Sequence, residues 1–142
     1  MSFAKVLFNP NGRISQRQFW AGWGVLVFGN LIAVLPALTL GPIFIAISIL
    51  IYIALIYVGC CVYGKRLHDM GKTAWWLAIP WILVLLTTFA AFVTDLSEAE
   101  FILSTGYYMV WFAYTMWVGV SGSDPNTNKY GPGRDASNGI SM

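Results

Sequence analysis

The chain has 142 residues, 58% of them hydrophobic and only 10% charged, with a net charge of +2. A soluble domain carries about a quarter charged residues, so most of this surface is not built for water, and the length suits one compact domain. The basic residues form no long run or aromatic-interleaved strip, which excludes nucleic-acid binding by charge. The adjacent Cys60 and Cys61 supply neither a disulfide framework nor separated zinc ligands.

Residues 2–8 are short and amphipathic, and Asn9-Pro10-Asn11-Gly12 forces a turn. No cleavable signal peptide is expected, because the apolar run starts only at Phe19 and continues too far. Ser15 and Gln18 have capping-box spacing, with Ile14 and Phe19 as the hydrophobic staple, so the first long helix should start near Gln16. Phe19–Thr39 contains no Asp, Glu, Lys, Arg or His and, at about 1.5 Å per residue, can cross a bilayer core. Within it Gly29, Ala33 and Ala37 form a small-residue stripe on which another helix can lie close.

Leu40-Gly41-Pro42 leaves almost no loop, so the next helix must return antiparallel. Its apolar part is Ile43–Tyr63, and the helix should run on to about Met70 and stop at a left-handed Gly71. The third span, Trp75–Thr94, has Thr73 as N-cap and Pro80 as a bend. An acidic turn follows at 95–100, with Ser97 and Glu100 as a second capping box, and then the fourth span, Phe101–Val120. Residues 121–142 read as a flexible tail, ordered at most around Tyr130, after a membrane domain of 19–120 and an N-terminal segment of 1–18.

With four crossings, Lys5, Arg13, Arg17, Lys65, Arg66, Lys72, Lys129 and Arg134 all fall on one side, and only Asp95, Glu98 and Glu100 on the other. The positive-inside rule makes the basic side cytoplasmic. The expected fold is therefore an all-α integral membrane protein, two antiparallel helical hairpins with both termini cytoplasmic. Trp20, Trp23, Tyr63, Trp75 and Trp76 would form the aromatic belt at that interface.

No span carries a charged residue or histidine, which argues against ion- or proton-coupled transport. Asn30, Ser48, Thr87 and Thr88 are expected to bond between helices or to their own backbone. His68 and Asp69 are adjacent, so they point about 100° apart on a helix, and Cys61 lies two turns from His68, roughly 10 Å. Neither arrangement makes a catalytic pair, the chain lacks metal ligands, and no catalytic residue or cofactor is expected. Asp69 near a helix C-terminus needs a cation to answer it. The expected network is Asp69 with Arg13 or Arg17, and Arg66 with Asp124 or a lipid phosphate, as exposed pairs of about 1 kcal/mol or less each.

Three blocks give a resemblance: Gly12-Arg13-Ile14-Ser15 with Gln18-Phe19-Trp20; Arg66-Leu67-His68-Asp69-Met70-Gly71-Lys72 running to Trp75-Trp76; and Asn128-Lys129-Tyr130-Gly131-Pro132. In order and spacing they resemble the bacterial inner-membrane domain-of-unknown-function 805 family. Thr73-Ala74 stands where that family usually has Ser-Gly, Asp124-Pro125-Asn126-Thr127 replaces a more glycine-rich lead-in, and Gly133-Arg134 replaces the usual Asp-Pro. The resemblance implies a small helical protein of the bacterial inner membrane without established activity. It also implies that the three blocks meet on the cytoplasmic face.

The expected function is that of a binding or accessory module. Its candidate site is Arg13, Arg17, Arg66, His68, Asp69, Lys72, Asn128 and Tyr130, a cationic cap for an anionic lipid headgroup or a partner protein. The alternatives are a purely structural cap with no ligand, an oligomeric pore or transporter assembled through the Gly29-Ala33-Ala37 stripe, and a lipid-modifying enzyme with His68 as base.

Overall fold

The computed structural model describes residues 2–39, 42–94 and 99–133. Over these it is all-helical: α1 (Phe3–Phe8), α2 (Gln16–Thr39), α3 (Pro42–Asp69), a 3-10 turn (Ala74–Leu77), α4 (Ala78–Thr94) and α5 (Ala99–Val120). The turn at 40–41, the acidic turn at 95–98 with its capping box, Arg134 and the rest of the tail lie outside the described residues.

The ends of these helices follow local chemistry. The Ser15 backbone N–H donates to Gln18 Oε1 at 2.9 Å, and the Gln18 N–H donates to Ser15 Oγ at 3.2 Å. This reciprocal pair satisfies two of the free donors at the start of α2. At the end of α3, Gly71 has φ +73°, the Lys72 N–H reaches the Leu67 carbonyl at 2.8 Å, and the Gly71 N–H reaches the His68 carbonyl at 3.1 Å. That is a Schellman stop, which needs the left-handed residue that glycine adopts without a Cβ clash. Pro80 makes no mid-helix bend. It falls in the first turn of α4, where the missing N–H costs nothing.

Small residues bring α2 and α3 into close antiparallel contact. A Cβ on Gly22 would lie 2.9 Å from Val62 Cγ2, and one on Gly29 would lie 2.5 Å from Leu55 Cδ2. Further along, Ser48 Oγ donates to the Ala33 carbonyl at 2.6 Å. The Gly29-Ala33 stripe is thus covered by α3 of the same chain, which removes it as an oligomer interface, and the side chain of Ala37 lies outside the described residues. Asn30 bonds back to the Leu26 carbonyl at 2.7 Å, and Thr87 and Thr88 likewise bond their own helix.

The hairpin of α4 and α5 is also antiparallel, with Trp81 against Trp111 at 5.3 Å and Trp76 against Trp117 at 5.8 Å between ring centroids. The two hairpins join at the end that carries the α3 C-terminus. There Trp20 lies on Gly119, and the Tyr63 and Thr115 hydroxyls bond at 2.6 Å. Tyr63, expected in an interfacial belt, is therefore an inside residue, buried with Phe19, Val62, Leu67, Tyr114 and Val118.

Burial runs opposite to that of a water-soluble protein. Lys65, Arg66 and Asp69 are buried, whereas Phe28, Leu50, Leu85, Phe89, Phe92 and Met109 face outward on the four long helices, Phe92 at 85% exposure. Exposed apolar surface of this extent calls for an apolar surrounding. Among the described residues one segment, Ile45–Asp69, is both long and apolar enough to cross a membrane by length and composition.

Candidate functional site

The site is built where the start of α2, the end of α3 and the end of α5 meet. The ends of α3 and α5, and that of α1 beside them, expose carbonyls without helical partners, and each is answered by a cation from another segment. Arg66, on α3, donates from Nε to the Val118 carbonyl at 3.0 Å and from Nη2 to the Ser121 carbonyl, which caps α5. Arg13, in the loop before α2, donates from Nη2 to the Asp69 carbonyl at 3.2 Å, which caps α3. Lys65 donates to the Lys5 and Val6 carbonyls in the last turns of α1. Cations at helix C-termini gain both a hydrogen bond and a favourable dipole.

One carboxylate ties these groups together. Asp69 Oδ1 accepts Arg13 Nε at 3.1 Å, and Oδ2 accepts Arg66 Nη1 and Ser123 Oγ, the latter at 2.5 Å. The Asp69 backbone carbonyl also accepts the Asp124 N–H at 2.7 Å. The Arg66 side chain has no solvent exposure and that of Asp69 has 3%. The expected Arg13–Asp69 pair is present, but it is internal and not a surface pair. The partner expected for Arg66, Asp124 or a lipid phosphate, is replaced by Asp69, Ser123 and the end of α5.

The tail completes the site: residues 124–131, expected to be ordered at most around Tyr130, are bonded to the other two blocks. Arg13 donates to the Asn126 carbonyl at 2.9 Å and to the Asp124 carbonyl. Asn128 and Gly131 exchange both backbone hydrogen bonds at 3.1 and 3.0 Å, closing a tight turn over Lys129-Tyr130. Asn128 Nδ2 reaches the His68 carbonyl at 3.1 Å and Asp124 Oδ2 at 3.2 Å. This turn lays the Tyr130 ring flat on His68, with centroids 3.7 Å apart and planes 7° apart. Gly133 is held at van der Waals limits, since a Cβ there would run into the Pro125 carbonyl.

His68 Nδ1 lies 3.3 Å from the Gly12 carbonyl, which can only accept, so Nδ1 carries the proton. Burial pushes the imidazole below its ordinary range, and Lys129 adds to this, against the raising effect of the Gly12 carbonyl. The Asp124 carboxyl is held below its usual range, chiefly by the Asn126 N–H and then by the Asn128 amide.

Of the residues singled out in the sequence, Arg13, Arg66 and Asp69 thus form one centre, with His68, Asn128 and Tyr130 as a layer on it. Lys72 stands apart, its Nζ 4.2 Å above the Trp76 ring and 5.7 Å from the Trp117 ring. Arg17 is exposed and lines a different feature, a groove with Gln16, Trp20, Gly119 and Val120. Sequence reasoning missed Ser123 and the capping of α1 by Lys65. A polar Ser-Gly-Ser-Asp stretch directly after α5 is the only signal that pointed toward the former.

The chain matches the family model described as Protein of unknown function (DUF805) over residues 7–132. It belongs to that family. All three sequence blocks fall inside the matched range; the first and middle are joined by Arg13 with Asp69 and by His68 with the Gly12 carbonyl, and the middle and last through His68, Asn128 and Tyr130. No curated protein and no solved structure matches the chain.

Proposed function

We propose that this is a four-span protein of the bacterial cytoplasmic membrane, with both ends inside, and that its basic cap is a binding module for anionic phospholipid headgroups. The observation that supports this is a division of labour among the cations. Arg13, Lys65 and Arg66 are consumed by the fold, whereas Lys5, Arg17 and Lys129 remain exposed and Lys72 partly so. These outward charges sit at the same end as the buried centre, beside apolar helix surfaces that suit lipid. A basic residue near an anionic membrane surface contributes about 1 kcal/mol. The internal centre then serves to position the cap, and the site moves outward from Arg13, Arg66 and Asp69 to Arg17, Lys72 and their exposed neighbours.

The test is reconstitution into mixed phosphatidylglycerol–phosphatidylethanolamine membranes, followed by gentle extraction and quantification of the lipids that stay with the protein. Enrichment of the anionic lipid is expected, and its loss when Lys5, Arg17, Lys72 and Lys129 are all changed to Gln. Retention of the two lipids in their bulk ratio by the unaltered protein sinks the reading.

A further inference from the structure

Arg17 lines an open groove at this end. The groove between the first turn of α2 and the last turn of α5 has a volume of about 510 Å³ and is lined by Gln16, Arg17, Trp20, Gly119 and Val120. Its floor is the Trp20 indole, which lies so close over Gly119 that any Cβ there would collide with the ring. Its polar wall is already quiet. Gln16 Nε2 donates to the Val120 and Ser121 carbonyls at 3.0 and 3.2 Å, covering the acceptors that would repel an anion. Arg17 itself makes no hydrogen bond or ion pair among the described residues, unlike Arg13 and Arg66 beside it.

Above the groove the surface of α2 is apolar and notched. Helical spacing places Gly24 one turn above Trp20, and then Val27, Phe28 and Leu31. Gly24 has nothing within 4 Å of where a Cβ would stand, and Val27, Phe28 and Leu31 are exposed. A guanidinium at the foot of a shallow aromatic groove, continued by an open apolar track, fits a ligand with one anionic group and a long apolar chain. Free phosphate would use only the guanidinium, and an acidic peptide would gain nothing from the track.

The geometry points to a discrete single-phospholipid site in this groove, with the lipid phosphate on Arg17, the glycerol region over Trp20 and an acyl chain along the notch at Gly24. The site rests on the headgroup-binding reading above, but it makes a narrower claim of one position and one bound lipid. A planar guanidinium suits a phosphate because it donates two parallel hydrogen bonds.

Native mass spectrometry of the full chain, released from phosphatidylglycerol-containing nanodiscs, tests it. One retained phosphatidylglycerol per chain is expected. Arg17→Gln should lower that retention roughly tenfold, the loss of one charge-assisted phosphate contact. Gly24→Leu, which fills the track with Arg17 untouched, should lower it as well. An unchanged thermal unfolding midpoint shows that each variant remains folded. If Arg17→Gln retains lipid at the unaltered level while the triple change of Lys5, Lys72 and Lys129 to Gln abolishes it, the groove is the wrong place and the general reading survives. Displacement of the lipid by millimolar inorganic phosphate would show an anion site without a lipid track, and would overturn the proposal. No preference for phosphatidylglycerol in the unaltered protein would overturn both readings together.

Discussion

Asp69 is the carboxylate on which two buried guanidinium groups depend, and removing it strands both. Arg13 and Arg66 would keep their carbonyl partners but lose the carboxylate that both of them contact. Breaking a buried pair by deleting one member costs about 3–5 kcal/mol, because the remaining charge stays out of water. Asp69→Asn, nearly the same size, should therefore lower the thermal unfolding midpoint of the detergent-solubilised protein sharply. Arg17→Gln, which removes an exposed cation, should leave that midpoint almost unmoved. A second prediction concerns His68, which lies beyond the apolar run that ends at Tyr63. Its folded form favours the neutral ring, since burial lowers its affinity for a proton. As pH falls, the opened chain takes up that proton first, near its ordinary value of about 6.5. Closure of the tail over His68 therefore has its full stability above about pH 6.5 and loses it as the pH drops toward the lowered folded value. Hydrogen exchange of the backbone over 124–131 should accelerate through that range, and His68→Gln should flatten the dependence.

At the scale of the elements, the close approach of α2 and α3 rests on glycines that are not equivalent. Gly22 faces the branched, stiff Val62, so a larger residue there has no flexible neighbour to push aside. Gly24, half a turn away, faces open space. Gly22→Leu should destabilise by about 1–3 kcal/mol through overpacking. Gly24→Ala should be neutral or stabilise by roughly 0.5–1 kcal/mol through helix propensity. Melting the two variants side by side checks the order. Such local features were legible in advance. The Ser15–Gln18 box and the Gly71 stop depend only on neighbours a few residues apart, and both stand where their spacing placed them. The small-residue stripe was legible too, although its partner was not, because spacing alone cannot say which helix will cover it. The fate of Arg66 was hidden for the same reason. Its expected partner is Asp124 or a lipid phosphate, yet it caps α5, and that follows only from the two hairpins meeting at one end. The 121–133 segment carries no period to read, since its order comes from single hydrogen bonds to Arg13 and His68 and not from a repeating face.

At the scale of the molecule, the buried centre and the apolar skin make one demand on topology. The described joins between the hairpins, Trp20 with Gly119, Tyr63 with Thr115 and Arg66 with Val118, all lie at the end that gathers the basic residues. The sequence joining α4 to α5 carries Asp95, Glu98 and Glu100. If both hairpins cross the bilayer, the positive end faces the cytoplasm, and the polar backbone of the tail lies in water or headgroups and not in hydrocarbon. Single cysteines in a Cys60→Ala, Cys61→Ala background can read this directly. Asn126→Cys replaces an exposed side chain whose backbone carbonyl alone contacts Arg13, so the centre is kept. Ser97→Cys sits between the second pair of helices. On intact cells an impermeant maleimide should label Ser97→Cys at once and Asn126→Cys only after the inner membrane is opened. Labelling of both positions from outside would mean that α4 and α5 do not both cross. Labelling of Asn126→Cys alone would place the basic cap on the outer face, where it meets neither the cytoplasmic leaflet nor its anionic lipids.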